Sequence, residues 1–376
     1  MNAPCFGCRE WRRLPRLVSQ AMLAGLALAT LAVGGCAATA YLGQSIDGQL
    51  ELLRSAQPID KLIANPETPP ALRVRLEKAL AIREFASRKL GLPDNGSYRR
   101  YADLKRPFVV WNVFAAPELS VRLKESCFPI AGCVGYRGYF SEEAATRAAD
   151  ELHTQGYDVY VAGVPAYSTL GYFDDPVLSS FINYAEADIA RLLFHELAHQ
   201  VAYAAGDTAF NESFATAVER EGLRRYFANT TPAIVVLQAK AALRRDAFAA
   251  LVTSARQQLA QAFADAPADG ARRAAKEKLL DQLKKKYAEL RTGEWRDYAG
   301  YDSWFASGLN NAKLASVAVY SARVPAFEEL LRRRGGDLTA FYDDVRELAR
   351  LPKAERNAVL SAAAPGGDAT QTGTSE

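Results

Sequence analysis

Residues 192–219 read LLFHELAHQVAYAAGDTAFNESFATAVE. The segment opens with His195-Glu196-Leu197-Ala198-His199, an H-E-x-x-H pattern. In a helix, positions i and i+4 stack on one face, so both imidazoles can offer a nitrogen to a single metal ion. Glu196 follows the first histidine, where its carboxylate can accept a proton from metal-bound water. The chain has three histidines, and these are two of them. Residues 185–205 contain no Pro or Gly and are rich in Ala, Leu and Glu, and Gly206 supplies a stop, which predicts one helix over 185–205. Ile189, Leu192, Leu193, Leu197, Val201 and Ala204 recur at helical spacing.

Zinc sites that do chemistry use three protein ligands and keep one open position. The third candidate is Glu212. A helix running on from His199 to Gly206 descends roughly 10 Å, and an antiparallel helix beginning near Asp207 and Thr208 climbs back about 6–7 Å by Glu212. The Glu212 side chain then covers the remainder. Glu212, Thr216 and Glu219 share a face, so Glu219 can brace a ligand histidine from behind. Asp207 is the rival third ligand, with a turn cap as its other role. Ala202 and Ala205 stand where a metzincin would have Gly and a third His.

H-E-x-x-H followed by N-E-x-F-A resembles the gluzincin metallopeptidases, in particular zinc aminopeptidases whose second element reads N-E-G-F-A. That resemblance implies Zn2+ as cofactor, His195, His199 and Glu212 as ligands, and Glu196 as general base. More narrowly, the chain is similar to a family of predicted zinc aminopeptidases of bacteria in lipoprotein form. The stretches that carry this likeness are GQLELL (48–53), YRGYF (136–140), STLGYFDDPVLSS (168–180), FHELAHQ (194–200), FNESFA (210–215) and NNAKLA (310–315). Two features depart from the well-known zinc aminopeptidases. The gap between His199 and Glu212 is shorter, and no G-x-M-E-N segment is present to hold a free substrate amine.

The 376 residues allow one large or two moderate domains, with an ordinary globular composition of 49% hydrophobic and 24% charged residues. Arg9, Arg12, Arg13 and Arg16 precede an apolar run from Ala21 to Val33, which reads as the n- and h-regions of a signal peptide. The run is short for a membrane span. It ends in Val33-Gly34-Gly35-Cys36, which resembles a bacterial lipobox with lipid on Cys36. An uncleaved anchor and a plain signal peptide are the other readings. Ala37 after the cysteine resembles outer-membrane sorting, so the expected location is the cell envelope, on the outer membrane facing the periplasm. Removing the four Arg and one Glu of residues 1–35 takes the formal charge from +3 to zero. The basic pI therefore gives no reason to expect nucleic acid as a partner. The expected partners are a peptide substrate and, through the lipid anchor, a membrane. Cys5 and Cys8 leave with the signal peptide. Cys127 and Cys133, in CFPIAGC, are expected to form a disulfide in an oxidising compartment, with two buried free thiols as the alternative.

The expected fold class is α+β and mostly helical: a gluzincin-like catalytic core with a small sheet before the zinc helix and a helical C-terminal region. Signal peptide 1–35 precedes a helical leader, 36–95, with helices at 41–53, 59–64 and 70–90. This leader is either a spacer or a layer packed on the body. The peptidase core, 96–231, has strands expected at 108–114, 134–140 and 157–161 and a helix from Ser141 through His153, where His153 reads as a surface or packing histidine. Tyr167 to Phe173 is the candidate edge strand for pairing with an extended substrate, or else a loop over the core. The C-terminal part, 232–361, opens with a helical hairpin broken at 266–270. Residues 362–376 lack an apolar pattern and are expected to be disordered.

The chemistry expected of such a site is peptide hydrolysis with Glu196 moving the proton. No histidine follows His199, so an oxyanion donor must be Tyr, Arg or a backbone amide; Tyr301 and Tyr320 are candidates from the region that closes over gluzincin sites. Three functions remain open: an aminopeptidase, an endopeptidase for envelope protein quality control, and a non-catalytic lipid-anchored binding protein.

Overall fold

The computed structural model describes residues 41, 43–128, 132–296, 298–321 and 323–364, without the side chains of 318–321. The stretch expected to be a signal peptide, Cys36 and the residues beyond 364 lie outside them. Contacts divide the chain into Met1–Glu51 and Leu52–Glu376. In the first unit residues 43–51 are helical. Everything below concerns the second.

Two short strands and two helices open this unit: β1 (Gln57–Pro58), α1 (Ile59–Ala64), α2 (Pro70–Leu90) and β2 (Arg100–Ala102). Pro70 starts α2 at the position where its missing N–H costs nothing, and Gly91 closes it with φ +66°. Leu76, Ala79, Ile82, Ala86 and Leu90 of α2 are buried in the main core, so this part of the leader is a packed layer, not a spacer.

A second group follows: β3 (Val110–Pro117), β4 (Ser126–Phe128), β5 (Gly132–Val134), β6 (Arg137–Tyr139), α3 (Glu142–Thr154) and β7 (Tyr157–Val164). The order β6-β3-β7 is antiparallel, with Val113 opposite Arg137 and Val161. Central β3 is buried on both faces. Trp111, Val113 and Ala115 face α3, while Phe114 and Ala116 on the alternate face meet Ala312. Ser141 caps α3 by accepting from Ala144 N at 3.2 Å. His153 is exposed in its last turn. The expected strand 134–140 is divided, because β5 pairs with β4 and β6 pairs with β3. Cys127 and Cys133 are directly opposite in the β4–β5 hairpin and form a disulfide.

Residues 167–173 form a loop with a turn at 170–171, the second of the two readings of this stretch, and not an edge strand. Leu170 and Gly171 both have φ near the left-handed region, +57° and +82°. The turn is held by Asp175, whose carboxylate accepts from Thr169 N at 2.9 Å and from Thr169 Oγ1 at 2.8 Å. Strand β8 (Val177–Leu178) follows and pairs parallel with β2.

The remaining elements are helices: α4 (Glu186–His199), α5 (Thr208–Tyr226), α6 (Pro232–Asp265), α7 (Asp269–Thr292), α8 (Asp302–Ala306), α9 (Asn311–Ser321), α10 (Val324–Arg333), α11 (Leu338–Arg350) and α12 (Lys353–Ala363). The class is therefore α+β and mostly helical. Helix α12 takes in Ala362 and Ala363, which were expected in the disordered tail; Leu360 and Ala363 bury against the core there. Helices α6 and α7 form the expected hairpin and hold a second core around Val252, Leu259, Leu283 and Trp295. Among the described residues no helix is long and apolar enough to cross a membrane.

Helix α4 ends at His199, whereas its composition predicted a run to 205. The connection to α5 is held outside the helix by other partners. Asn211 accepts from Ala204 N at 2.8 Å and donates to Ala204 O at 3.0 Å. Arg346 donates to Val201 O at 3.3 Å. These bonds satisfy backbone groups that a longer helix would have satisfied, and Val201, Ala202 and Ala204 still bury their apolar atoms. The disulfide hairpin sits against the same connection. A Cβ on Gly132, at φ +72°, would fall 2.3 Å from Gly206 N, so only glycine permits that approach.

Replacing Asn211 by Ala strands the buried Ala204 N–H, while Ala204 O keeps the bond it accepts from Asp207 N at 3.1 Å. The expected loss is about 1–3 kcal/mol in urea unfolding. A loss below about 1 kcal/mol would show that the amide does not hold this connection.

Candidate metal centre

Helices α4 and α5 pack side by side, and their facing stripes build the site. His195 and His199 lie one turn apart on α4, with ring centroids 4.9 Å apart. Glu212 comes one turn into α5. Its Oε2 is 3.1 Å from His195 Nε2 and its Oε1 is 3.8 Å from His199 Nε2. One donor atom from each of the three lies within 4.8 Å of the others. Ligands at about 2.1 Å from a tetrahedral ion stand roughly 3.4 Å apart. The two measured spacings fall either side of that value, and two imidazoles with a carboxylate suit a divalent transition metal. The residues present therefore fit a metal ion.

Behind His195, Glu219 Oε2 is 3.1 Å from Nδ1. Arg191 Nη1 stands 3.7 Å from the same oxygen. The spacing explains the convergence: Arg191 is four residues before His195, and Glu219 is seven after Glu212, so each lies on its helix's inward stripe. Nδ1 of His199 makes no hydrogen bond among the described residues.

The electrostatics favour a cation. Burial pulls the His195 imidazole towards neutrality, but the hydrogen-bonded Glu212 and Glu219 outweigh it and hold positive charge there. Burial likewise works against ionised Glu212 and Glu219, and the facing histidines keep Glu212 below the ordinary range, as His195 and Arg191 do Glu219. Burial lowers His199; the Glu212 charge opposes that, and the His195 charge adds to it. Glu196 stands apart from this chain of partners. Burial pushes its carboxyl up to about 7; the His195 charge opposes that, and Glu212 and Asp175 reinforce it.

A family model described as "Putative aminopeptidase" matches residues 40–360, which takes in the whole of this site. The chain belongs to this family. No curated protein and no solved structure matches the chain. Membership gives a peptidase-like family, and the metal triad is consistent with a metallopeptidase.

The other residues singled out from the sequence fall as follows. Asp207 caps α5, accepting from Phe210 N at 3.2 Å, and pairs with Arg323 and Arg356; the triad of donor atoms does not include it. Tyr301 stacks on Phe248 with centroids 4.1 Å apart, and the charges of Arg191 and Arg245 act on both Tyr301 and Glu219. The side chain of Tyr320 lies outside the described residues. Arg191, Asp175 and Tyr98 had received no role from the sequence. Asp175 is buried and its charge acts on Glu196. The buried Tyr98 hydroxyl makes no hydrogen bond among the described residues, and the charges of Glu196 and Asp175 act on it. Arg191 was legible as the i−4 neighbour of His195. The other two approach the site only through the loops at 91–99 and 165–176.

Glu219→Ala is expected to weaken metal binding about 10–100-fold, read by competition with a chromophoric chelator. Unchanged affinity would remove the role given to Glu219 behind His195.

Asp175 gives a pH signature. Burial raises its carboxyl from 3.8 to about 6, against the hydrogen bonds from Thr169. Between those values the folded chain holds a proton that the unfolded chain has lost, so stability falls as pH rises from about 4 to 6. Relative to Asp175→Asn, the wild type should lose about 2–3 kcal/mol across that window. Parallel stability–pH curves for the two proteins would contradict it.

Proposed function

We propose that the protein is a zinc-dependent peptidase of the cell envelope, an aminopeptidase of gluzincin type, with Glu196 as general base. The observation that carries this reading is the convergence of His195, His199 and Glu212 with Glu196 on the adjoining helical position. Zinc held there would supply Lewis acidity, lowering the pKa of a water and polarising the scissile carbonyl.

The chain's own groups do the rest. Glu196 takes the proton of the attacking water on a carboxylate oxygen and returns it to the leaving amine. Its pKa near 7 suits both transfers at neutral pH. Glu219 accepts from His195 Nδ1–H, which fixes the tautomer that leaves Nε2 free as a ligand. His195, Glu196 and His199 are themselves buried, which strengthens each of these interactions.

The lipobox at Cys36 supports a lipid anchor on the outer membrane facing the periplasm, and the Cys127–Cys133 disulfide suits an oxidising compartment. The charge-balanced exported chain offers no nucleic-acid footprint. A second reading, an endopeptidase acting on envelope proteins, is favoured by the lack of a G-x-M-E-N segment.

Glu196→Gln should retain the metal, measured by elemental analysis, and lose at least about 100-fold in peptide hydrolysis. Residual activity within tenfold of wild type would sink the role of Glu196. Peptides with free and acetylated N-termini separate the two readings: an aminopeptidase cleaves only the free form, and equal cleavage of both selects the endopeptidase.

A further inference from the structure

On the first three turns of α5, every residue but four is buried. The four are Thr208, Ala209, Glu212 and Thr216, spaced i, i+1, i+4 and i+8, so they form one stripe. The stripe carries the Glu212 carboxylate and runs about 6 Å further, to Thr208 at the helix start. Thr208 and Ala209 there line a cleft of about 710 Å3, with Cys133 of the disulfide hairpin and Ala315 of α9 among its other walls.

The charge in this cleft is unbalanced. Its walls include Arg122, Arg256, Arg323 and Lys353 against Glu125 and Asp207. Asp207 is already shared between Arg323 at 3.2 Å and Arg356 at 3.1 Å. Arg256 is half-buried and makes no ion pair among the described residues; its Nε and Nη2 donate to Val121 O, at 3.3 and 3.2 Å. Burial alone acts on its guanidinium, with no acid to offset it. Arg122 is exposed, and its side chain makes no ion pair among the described residues. A partly desolvated guanidinium without a counter-charge binds anions strongly and recognises carboxylates with directional hydrogen bonds.

We propose that this cleft is a carboxylate subsite of the peptidase, where Arg256 and Arg122 bind an acidic group of the peptide about two residues or more from the bond that is cut. The group is a C-terminal carboxylate or an Asp or Glu side chain. The separation follows from the 6 Å between the ligand carboxylate and the cleft wall, at about 3.3–3.6 Å per extended residue. The proposal rests on the peptidase reading for its substrate class.

The test uses the metal-loaded full chain carrying Glu196→Gln, which holds peptides uncut. Calorimetry gives Kd for alanine peptides of three to five residues as free acids and as C-terminal amides, and for amidated peptides with Glu or Gln at each position. The acidic forms are expected to bind about tenfold tighter than their neutral counterparts. Adding Arg256→Gln should collapse that preference towards one. Arg122→Gln, at an exposed position whose side chain makes no ion pair among the described residues, should reduce it several-fold and decides the matter if Arg256→Gln fails to fold. A preference seen only with free acids assigns the C-terminal carboxylate; one seen only with Glu peptides assigns the side chain. Equal Kd for acidic and neutral forms, or a preference surviving both substitutions, overturns the subsite. Wild type that cleaves none of these peptides while the preference persists defeats the peptidase reading and leaves the carboxylate site standing.

Discussion

A buried imidazole held between two carboxylates is the constraint on which this structure turns. His195 has Glu212 at one ring nitrogen and Glu219 at the other. Both carboxylates come from α5, two turns apart, so a single rigid helix sets the orientation of the ring. Taking charged groups out of water is costly unless each finds a partner. The chain from Arg191 through Glu219, His195 and Glu212 to His199 meets that condition only while α4 and α5 keep their present register. The site and the helix packing therefore stand or fall together.

The rest of the fold fixes that register. Asn211, next to the ligand Glu212, clasps Ala204 in the connection between the helices. The disulfide hairpin closes on the same connection at Gly206. From the other side, Phe194 of α4 meets Phe85 of α2 and Tyr226 of α5. On α5, Gly222 leaves room for the Phe194 and Leu90 side chains to approach its backbone. Phe210 and Phe214 of α5 pack on Phe327 of α10. Each contact restrains one of the two ligand-bearing helices, and none of them lies in the H-E-x-x-H motif. Asp175 and Tyr98, brought in by loops, add a buried polar neighbourhood on the Glu196 side that the ligand stripe alone does not provide.

Much of this was legible locally. The bounds of α2 followed from proline at its start and glycine just past its end. The α6–α7 hairpin followed from breakers at 266–270, and the mostly helical class from the scarcity of breakers elsewhere. Two regular elements that the sequence allowed do not form, for one reason. Residues 200–205 have helical composition, and Tyr167–Phe173 is rich in β-forming residues. In both, side chains distant in sequence or local turn bonds satisfy the backbone more fully than the regular element would. Asn211 and Arg346 do so for the first segment, Asp175 for the second. Propensity is a weak prior wherever a buried polar side chain offers the backbone an alternative.

The sequence by itself determined which groups were available: two histidines one turn apart, a carboxylate beside the first, and a second acid on the next helix. Helical periodicity is enough for that, because it acts over a few residues. Only the tertiary structure decided that the connecting segment bends away from helix. It also decided that Glu219 and Arg191 line up behind His195, and that Arg256 faces a cleft without a counter-charge. Those outcomes depend on where the chain's distant segments meet, and burial assigns their energies only once water has been excluded from the contact.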